Sequence, residues 1–172
     1  MQLILFESIS LNGMIGRPNG DGDFFTNYCW TGFVEVARDV GAIIWGRTTH
    51  SSFGEAIRAA APELKGIVLT GNDRYNPGPG WSIAGSPVSA ARMASDLGME
   101  RCLVVGGQTV NTSFAKAGLL DEIILFVESV AIGQGMPLFA NEDFADIAVR
   151  LIDVSRPTDT VLQLHYAVVG QS

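Results

Sequence analysis

The sequence has 172 residues, of which 47% are hydrophobic and 17% are charged, and its formal net charge is −7 at pH 7. This composition excludes an intrinsically disordered chain, and the length predicts a single domain, residues 1–172. The acidic balance argues against a nucleic-acid-binding protein, which normally presents a basic face. The amino terminus lacks a basic region and reaches an acid at Glu7, so we expect a strand there and not a signal peptide.

No apolar run approaches the ~20 residues that span a bilayer, so a membrane protein is not expected. The two cysteines are Cys29 and Cys102, and Cys102 lies in an apolar run that predicts a buried strand. A disulfide framework or a zinc site is therefore not expected, and no metal ligands are assigned. These features predict a protein of the reducing cytoplasm.

Hydrophobic periodicity and turn residues predict the elements of the first half of the chain. They are a strand Leu3–Ser8, a glycine-rich loop from Leu11 to about Asn27, an amphipathic helix Trp30–Val40, a buried strand Gly41–Trp45, a helical segment ending near Ala60, a strand Gly66–Thr70, a loop Gly71–Gly80 and a strand Trp81–Ala84.

The second half continues the alternation and then changes to consecutive strands. Its predicted elements are a helix Val88–Leu97, a strand Arg101–Val105, a helix Thr109–Ala117, a strand Glu122–Glu128, and a hairpin of two strands, Phe144–Ser155 and Thr160–Val169. Strands that alternate with helices predict a mostly parallel α/β sheet covered on both faces, to which the hairpin adds an antiparallel edge.

The segment with the clearest functional pattern is the strand that ends in Val105-Gly106-Gly107 and opens at once into a helix. Without Cβ atoms, the glycines allow a pyrophosphate to approach the backbone N–H groups of the helix start, where the helix dipole favours its negative charge. A Gly-Gly pair also serves as an ordinary turn, so this segment alone does not identify a site.

Two other strand ends carry the same kind of residue. They are Trp45-Gly46-Arg47-Thr48-Thr49 and Leu69-Thr70-Gly71-Asn72. Ligands of such sheets bind outside the carboxyl ends of the strands, so three suitable ends predict a nucleotide site. Arg47 is interpreted as a phosphate contact because glycine and hydroxyl residues flank it, although a solvated arginine is the simpler alternative.

Six motifs in this order resemble the dihydrofolate reductase-like superfamily, closest to stand-alone relatives of the bacterial riboflavin-biosynthesis reductase domain. They are Ser10-Leu11-Asn12-Gly13-Met14-Ile15-Gly16, Gly46-Arg47-Thr48-Thr49, Leu69-Thr70-Gly71-Asn72, Val105-Gly106-Gly107, Leu119-Leu120-Asp121-Glu122 and Gly133-Gln134-Gly135-Met136-Pro137-Leu138-Phe139. The resemblance implies a three-layer α/β fold with a central, mostly parallel eight-stranded mixed sheet, NADPH as hydride donor, and often a homodimer.

The resemblance also implies roles for matched positions. A cofactor phosphate would be held by Gly46, Arg47, Thr48 and Thr49. The adenosine end would be lined by Thr70, Gly71, Asn72 and Arg74. The pyrophosphate would be held by Gly106, Gly107, Gln108 and Thr109. The Ser10–Gly16 loop, with Ser10 and Gly13, would lie near nicotinamide and substrate, and the Ser10–Gly22 loop would close over the site as a lid. Glu128 ends an apolar strand, and we assign it to the substrate side, with a solvent-exposed strand end as the alternative.

Two positions depart from the family pattern. Many relatives carry Asp where this chain has Asn12, and Tyr where it has His50. Asn12 can position a ligand by hydrogen bonding but cannot be a general acid, so its expected catalytic role is positioning only. A true dihydrofolate reductase is disfavoured, because Trp30 lies where the family pattern would place the carboxylate that faces the pterin.

Other polar residues have ordinary structural interpretations. We expect Asp21 and Asp23 to form turns, and Glu35 and Asp39 to lie on the solvated face of the first helix. His50 is predicted on a helix surface and His165 in a structural or interfacial position.

The sequence therefore predicts an NADPH-dependent reductase of a small polar heterocycle or an imine or carbonyl compound, with 5-amino-6-(5-phosphoribosylamino)uracil as one candidate substrate. The alternative is a non-catalytic NADPH-binding module or sensor on the same fold. Apolar residues on both faces of the terminal hairpin predict a homodimer that covers this edge.

Overall fold

The computed structural model describes residues 1–171, which form ten strands and four helices. The strands are β1 (Gln2–Ser10), β2 (Met14–Gly16), β3 (Ala42–Gly46), β4 (Lys65–Leu69), β5 (Trp81–Ala84), β6 (Arg101–Val105), β7 (Glu122–Glu128), β8 (Met136–Pro137), β9 (Ile147–Ser155) and β10 (Val161–Gln171). The helices are α1 (Asn27–Val40), α2 (Arg47–Ala60), α3 (Pro87–Asp96) and α4 (Gln108–Lys116).

Eight of the strands form one mixed sheet in the order β5-β4-β3-β6-β1-β7-β10-β9. The six strands from β5 to β7 are parallel, and β10 pairs antiparallel with β7 and with β9. The predicted fold class is confirmed, including the antiparallel edge formed by the terminal hairpin. Because the parallel strands point the same way, their carboxyl ends meet at one edge of the sheet.

Helices cover the sheet on both faces and create two hydrophobic cores. Residues of α1 and α2, including Phe33 and Ile57, pack on the face that also presents Phe6 and Trp45. Residues of α3 and α4, including Phe114, pack on the opposite face. The central strands are apolar on both sides because both of their faces are buried, which is typical of parallel sheets.

The start of α1 differs from the sequence prediction. The helix begins at Asn27 and not at Trp30, and Thr26 is its N-cap residue. The Thr26 side chain makes no capping bond, but the backbone N–H of Thr26 donates to Oε1 of Glu128 at 2.7 Å. A carboxylate distant in the sequence therefore stabilises this helix start, which local pattern does not reveal.

Two further differences concern short or edge strands. The strands β2 and β8, which pair with each other near the carboxyl edge of the main sheet, were not predicted because each has only two or three residues. The strand β9 begins at Ile147 and not at Phe144, whose ring packs on Phe139 with centroids 5.2 Å apart.

Two observations concern the expected cellular setting. Over residues 1–171, no helix is both long and apolar enough to cross a membrane. Cys29 and Cys102 are buried free thiols.

Candidate functional site

A cavity of about 580 Å³ opens at the carboxyl edge of the sheet, between the ends of β1, β3 and β6 and the start of α1. Its lining residues come from these strands, from β2 and β8, from α1 and α2, and from the loops that follow β2 and β6. They are Phe6, Glu7, Ser8, Ile15, Gly20, Asp21, Gly22, Asp23, Phe25, Thr26, Asn27, Cys29, Trp30, Phe33, Trp45, Thr49, Phe53, Val105, Gly106, Gly107 and Met136. This volume is within the usual range of small-molecule sites.

The Gly-Gly segment lies in the cavity wall, as its position after a central strand requires. Gly106 has φ +27° and is joined to Gly107 by a cis peptide bond. A Cβ at Gly106 would lie 2.5 Å from Oε1 of Glu7, whereas a Cβ at Gly107 would meet nothing within 4 Å. Gly106 is therefore required for packing, while Gly107 leaves open space at the helix start.

Glu7 is a buried carboxyl group beneath this segment. Its Oε1 accepts a hydrogen bond from Nδ2 of Asn111 at 2.9 Å, and Asn111 also donates to the carbonyl of Leu138 at 2.9 Å. Burial raises the pKa of Glu7 to about 7, despite hydrogen bonds from Asn111 and the Gly106 backbone that lower it. A carboxyl group with this pKa changes its charge near neutral pH.

The helices that start at this edge have no side-chain caps. Gly46 precedes α2 and Gly107 precedes α4, and neither helix has a side-chain capping bond. In contrast, α3 has a complete capping box formed by Ser86 and Ser89. The first N–H groups of α2 and α4 have no partner within their helices, so both starts can donate to an anion.

Two arginines flank this edge on the solvent side. Arg47 opens α2 and Arg74 follows β4, and both are exposed. Neither guanidinium forms an ion pair within residues 1–171. The nearby Thr70 and Asn72 side chains stabilise their own turn, since Oγ1 of Thr70 accepts from the Asn72 N–H and Oδ1 of Asn72 accepts from the Arg74 N–H, each at 3.1 Å.

Part of the predicted substrate loop lines the cavity. Ser10, Asn12 and Gly13 are absent from the cavity lining, to which Ile15 and residues 20–23 contribute instead. Nδ2 of Asn12 donates to the Ile132 carbonyl at 2.9 Å, and Oδ1 accepts from the Ile132 N–H at 3.1 Å and from the Ser10 hydroxyl at 2.9 Å. The Asn12 amide thus joins two loops, and its role in positioning a ligand stays a prediction.

Glu128 lies behind the cavity wall and is 2% exposed, so it is not the solvent-exposed strand end considered as its alternative. Its Oε1 accepts from both the backbone N–H and the hydroxyl of Thr26, and from the thiol of Cys29 at 3.3 Å. Thr26 and Cys29 themselves line the cavity. Glu128 therefore supports residues of the wall but does not line the cavity itself.

His50 is buried, which corrects the prediction of a helix-surface position. Its Nδ1 is 2.6 Å from the Tyr75 hydroxyl, and its ring lies 5.1 Å from the ring of Trp81. Burial, with the positive charge of Arg58, lowers the pKa of His50. The loop after β4 folds back over α2 through these contacts, and sequence periodicity contains no information on that packing.

Of the predicted site residues, Thr49, Gly106 and Gly107 line the cavity. Gly46, Arg47, Thr48, Gln108 and Thr109 adjoin these three in the sequence, and Thr70, Gly71, Asn72 and Arg74 follow the next strand. Sequence reasoning missed Glu7, although an acid within the apolar run of β1 was a signal. It preferred turn formation to a catalytic role for Asp21 and Asp23, and both line the cavity.

Comparisons with known proteins agree with this architecture. Residues 86–162 match the family model of the RibD C-terminal domain. Across 95% of both chains, the sequence is 28% identical to the uncharacterized protein YwjB of Bacillus subtilis (strain 168).

Solved structures share the fold at low sequence identity. A Shewanella sp. PV-4 protein named for riboflavin biosynthesis superposes with a TM-score of 0.80 at 24% identity, over 98% of this chain and 99% of that one. Acinetobacter baumannii RibD gives a TM-score of 0.79 at 18% identity, over 98% of this chain and 58% of that one. The chain therefore resembles the RibD C-terminal domain over residues 86–162 and shares the fold of these solved structures.

Proposed function

We propose that this protein is a reductase that uses NADPH to reduce a small heterocycle or an imine or carbonyl compound. One observation carries the proposal. Two uncapped helix starts and the open position at Gly107 lie at the edge of a cavity that is lined by aromatic rings. A Thermotoga maritima protein of similar fold, named as a deaminase and 5-amino-6-(5-phosphoribosylamino)uracil reductase, supports the reaction class.

The residues at the carboxyl edge fit the parts of this cofactor. The N–H groups that open α4 would hold the pyrophosphate next to Gly107, and those that open α2 would receive a further phosphate. The exposed, unpaired Arg47 and Arg74 would attract the 2′-phosphate that distinguishes NADPH from NADH. When bound, the nicotinamide supplies a hydride to the substrate.

The chain itself would position the substrate and exclude water. Trp30, Phe33 and Phe6 line the cavity and give it an apolar wall against which a flat ring can pack. Ile15 of β2 and residues 20–23 of the β2–α1 loop also line it, and closure of this loop would remove water from the reacting atoms.

One observation favours the second candidate, a non-catalytic NADPH-binding module or sensor. The position where many relatives carry Asp is Asn12 here, and its amide is engaged with Ile132 and Ser10. The residue at this position therefore cannot act as a general acid. Both candidates require cofactor binding, and only the reductase requires turnover.

Calorimetric titration with NADPH and NADH tests the cofactor. We expect NADPH to bind more tightly, and Arg47→Ala or Arg74→Ala to reduce that preference by about tenfold, because a charge-assisted hydrogen bond is lost. Arg92→Ala on α3 is the matched control, since Arg92 is an equally exposed arginine on an unrelated helix. Equal affinities for the two cofactors would contradict the assignment of NADPH.

Oxidation of NADPH with a panel of pterins, aminouracils and imines separates the two candidates. Turnover of any member supports the reductase. Tight binding of NADPH without oxidation across the panel supports the binding module.

A further inference from the structure

The walls of the cavity are unusually rich in aromatic rings. Six of its lining residues are aromatic, and they come from β1, β3, α1, α2 and the loop before α1: Phe6, Phe25, Trp30, Phe33, Trp45 and Phe53. The Trp30 ring lies 5.8 Å from that of Phe33 and 6.3 Å from that of Phe53. Such walls favour a flat ligand that can stack on them or meet their edges.

The acidic and basic side chains of the cavity wall are all carboxyl groups. They are Glu7, Asp21 and Asp23, and no lysine, arginine or histidine belongs to the lining within the described part of the chain. The arginine nearest in sequence, Arg17, is paired with Asp23, its Nε lying 2.7 Å from Oδ1, and its guanidinium lies over the Phe24 ring. The charge of Arg17 is therefore balanced by Asp23.

This charge distribution disfavours an anionic substrate. A phosphate group normally needs cations or several N–H donors, and in a partly dry cavity it would be repelled by the acidic side chains. The groups suited to phosphate, which are the helix starts and the exposed Arg47 and Arg74, are those that the proposed cofactor would occupy. A positively charged ring would meet complementary charge at Asp21, which forms no ion pair within residues 1–171, and cation–π attraction from the walls, while a neutral ring would meet no repulsion.

We propose that the cavity takes a flat ring compound that is neutral or positively charged and carries no phosphate group. As the substrate class of a reductase, this inference rests on the proposed function, but ligand selection by the cavity can be measured without the cofactor. It excludes the phosphorylated uracil compound as the preferred ligand of this chain, although a relative of the same fold is named for its reduction.

Ligand-observed NMR with three probes of the same size tests the charge rule in the cofactor-free protein, with inorganic pyrophosphate added to compete for the helix starts. The probes are benzamidine, benzamide and benzoate, which are cationic, neutral and anionic. We expect benzamidine and benzamide to bind at least tenfold more tightly than benzoate. Asp21→Asn should reduce the preference for the cation, and Asp23→Asn should improve benzoate binding, because it removes the acid that neutralises Arg17. Asp96→Asn on α3 is the control.

Calorimetry with 5-amino-6-ribosylaminouracil and its 5′-phosphate, in the same pyrophosphate buffer, tests the phosphate rule on a matched pair. The unphosphorylated compound should bind more tightly. Stronger binding of benzoate or of the 5′-phosphate, or no binding of any probe, would overturn the inference. NADPH titration of the same preparation distinguishes failure of this inference from failure of the proposed function. A protein that does not bind NADPH can still show the expected selectivity among the probes.

Discussion

Asn111 donates a hydrogen bond from Nδ2 to Oε1 of Glu7 at 2.9 Å, and both side chains are buried beneath the Gly106 backbone. This pair connects α4 to β1 at the point where the Gly-Gly segment meets the cavity. Any change in the charge of Glu7 therefore occurs next to the start of the helix that would hold pyrophosphate.

The first prediction concerns stability and pH. Burial raises the pKa of Glu7 from 4.5 to about 7, so the folded protein holds this proton more tightly than the unfolded chain does. Its contribution is fully present below about pH 4.5 and is lost as pH rises through about 7, a change of about 3 kcal/mol. Glu7→Gln should remove this loss, and denaturant unfolding between pH 5 and pH 8, roughly the window of the shift, measures it.

The exposed Glu55 on α2 provides the matched control for this prediction, since Glu55→Gln makes the same chemical change at the surface. The difference in the free energy of unfolding between wild type and Glu7→Gln should grow toward pH 8. A difference that is constant with pH would show that Glu7 has no shifted titration in the folded state.

A second prediction separates the roles of the two glycines. Gly106→Ala places a Cβ 2.5 Å from Oε1 of Glu7 at φ +27°, so it should lower the free energy of unfolding by about 1–3 kcal/mol. Gly107→Val enters open space at ordinary backbone angles, φ −75° and ψ −168°, and should leave the fold intact. The valine should instead block close approach of pyrophosphate and weaken NADPH binding.

Denaturant unfolding and NADPH titration of both variants measure these effects. If Gly107→Val unfolds the protein, or binds NADPH as wild type does, Gly107 has no role in holding the cofactor. Normal stability of Gly106→Ala would mean that Glu7 can move away from the new methyl group.

The sheet could be predicted from the sequence because its strands and helices are long, periodic and bounded by turn residues. Glu122–Glu128 and Trp81–Ala84 were predicted to the residue, and the carboxyl edge follows from parallel topology. Long-range polar contacts have no comparable local signal. The start of α1 depends on Glu128, and the burial of His50 depends on Tyr75, which is 25 residues away.

The same distinction explains which parts of the candidate site were predicted. Gly107 and Thr49 follow strand ends, so the topology alone brings them to the edge. The acids of the cavity are different, because a turn-forming aspartate and a cavity-lining aspartate have the same sequence pattern. Asp21 and Asp23 reach the wall only through the path of the β2–α1 loop.

A third prediction tests Asn12. Its amide donates to the Ile132 carbonyl and accepts from the Ile132 N–H, so Asn12→Asp replaces one attractive contact by repulsion between a carboxylate and a carbonyl oxygen. We expect Asn12→Asp to lower the free energy of unfolding by about 1–3 kcal/mol, with Asn12→Ala giving a loss of about 1–2 kcal/mol. Asn76→Asp is the control, because Asn76 is exposed and its Oδ1 only accepts a bond from the Gly78 N–H, which an aspartate can also accept.

Kinetics of the same variants test whether Asn12 also positions a ligand. These measurements need a substrate that turns over. A loss of kcat at a temperature where the variants are still fully folded would support the positioning role. Unchanged kcat and pH profile in both variants would mean that Asn12 only joins the two loops.

The last prediction concerns the terminal hairpin. Val149, Leu151 and Val154 of β9 lie opposite Val168, Tyr166 and Leu164 of β10, so they share one face of the sheet. Val149, Leu151 and Val154 are 42%, 50% and 49% exposed, and Leu162 on the same face is 43% exposed. Exposed apolar residues grouped on one face are typical of a protein–protein interface, and a second copy of the chain presents the same surface for a two-fold contact. We expect a homodimer, with sedimentation at micromolar concentration giving twice the chain mass of 18.3 kDa.

Leu151→Asp should shift this equilibrium toward the monomer by more than tenfold, because a charge would be buried without a partner at the interface. Leu97→Asp is the matched control, since Leu97 is 47% exposed at the end of α3, away from the hairpin. If wild type sediments as a monomer, or if Leu151→Asp and Leu97→Asp have equal effects, the hairpin face is not the dimer interface. Circular dichroism of both variants separates dissociation from unfolding, since a dissociated but folded chain keeps its secondary structure.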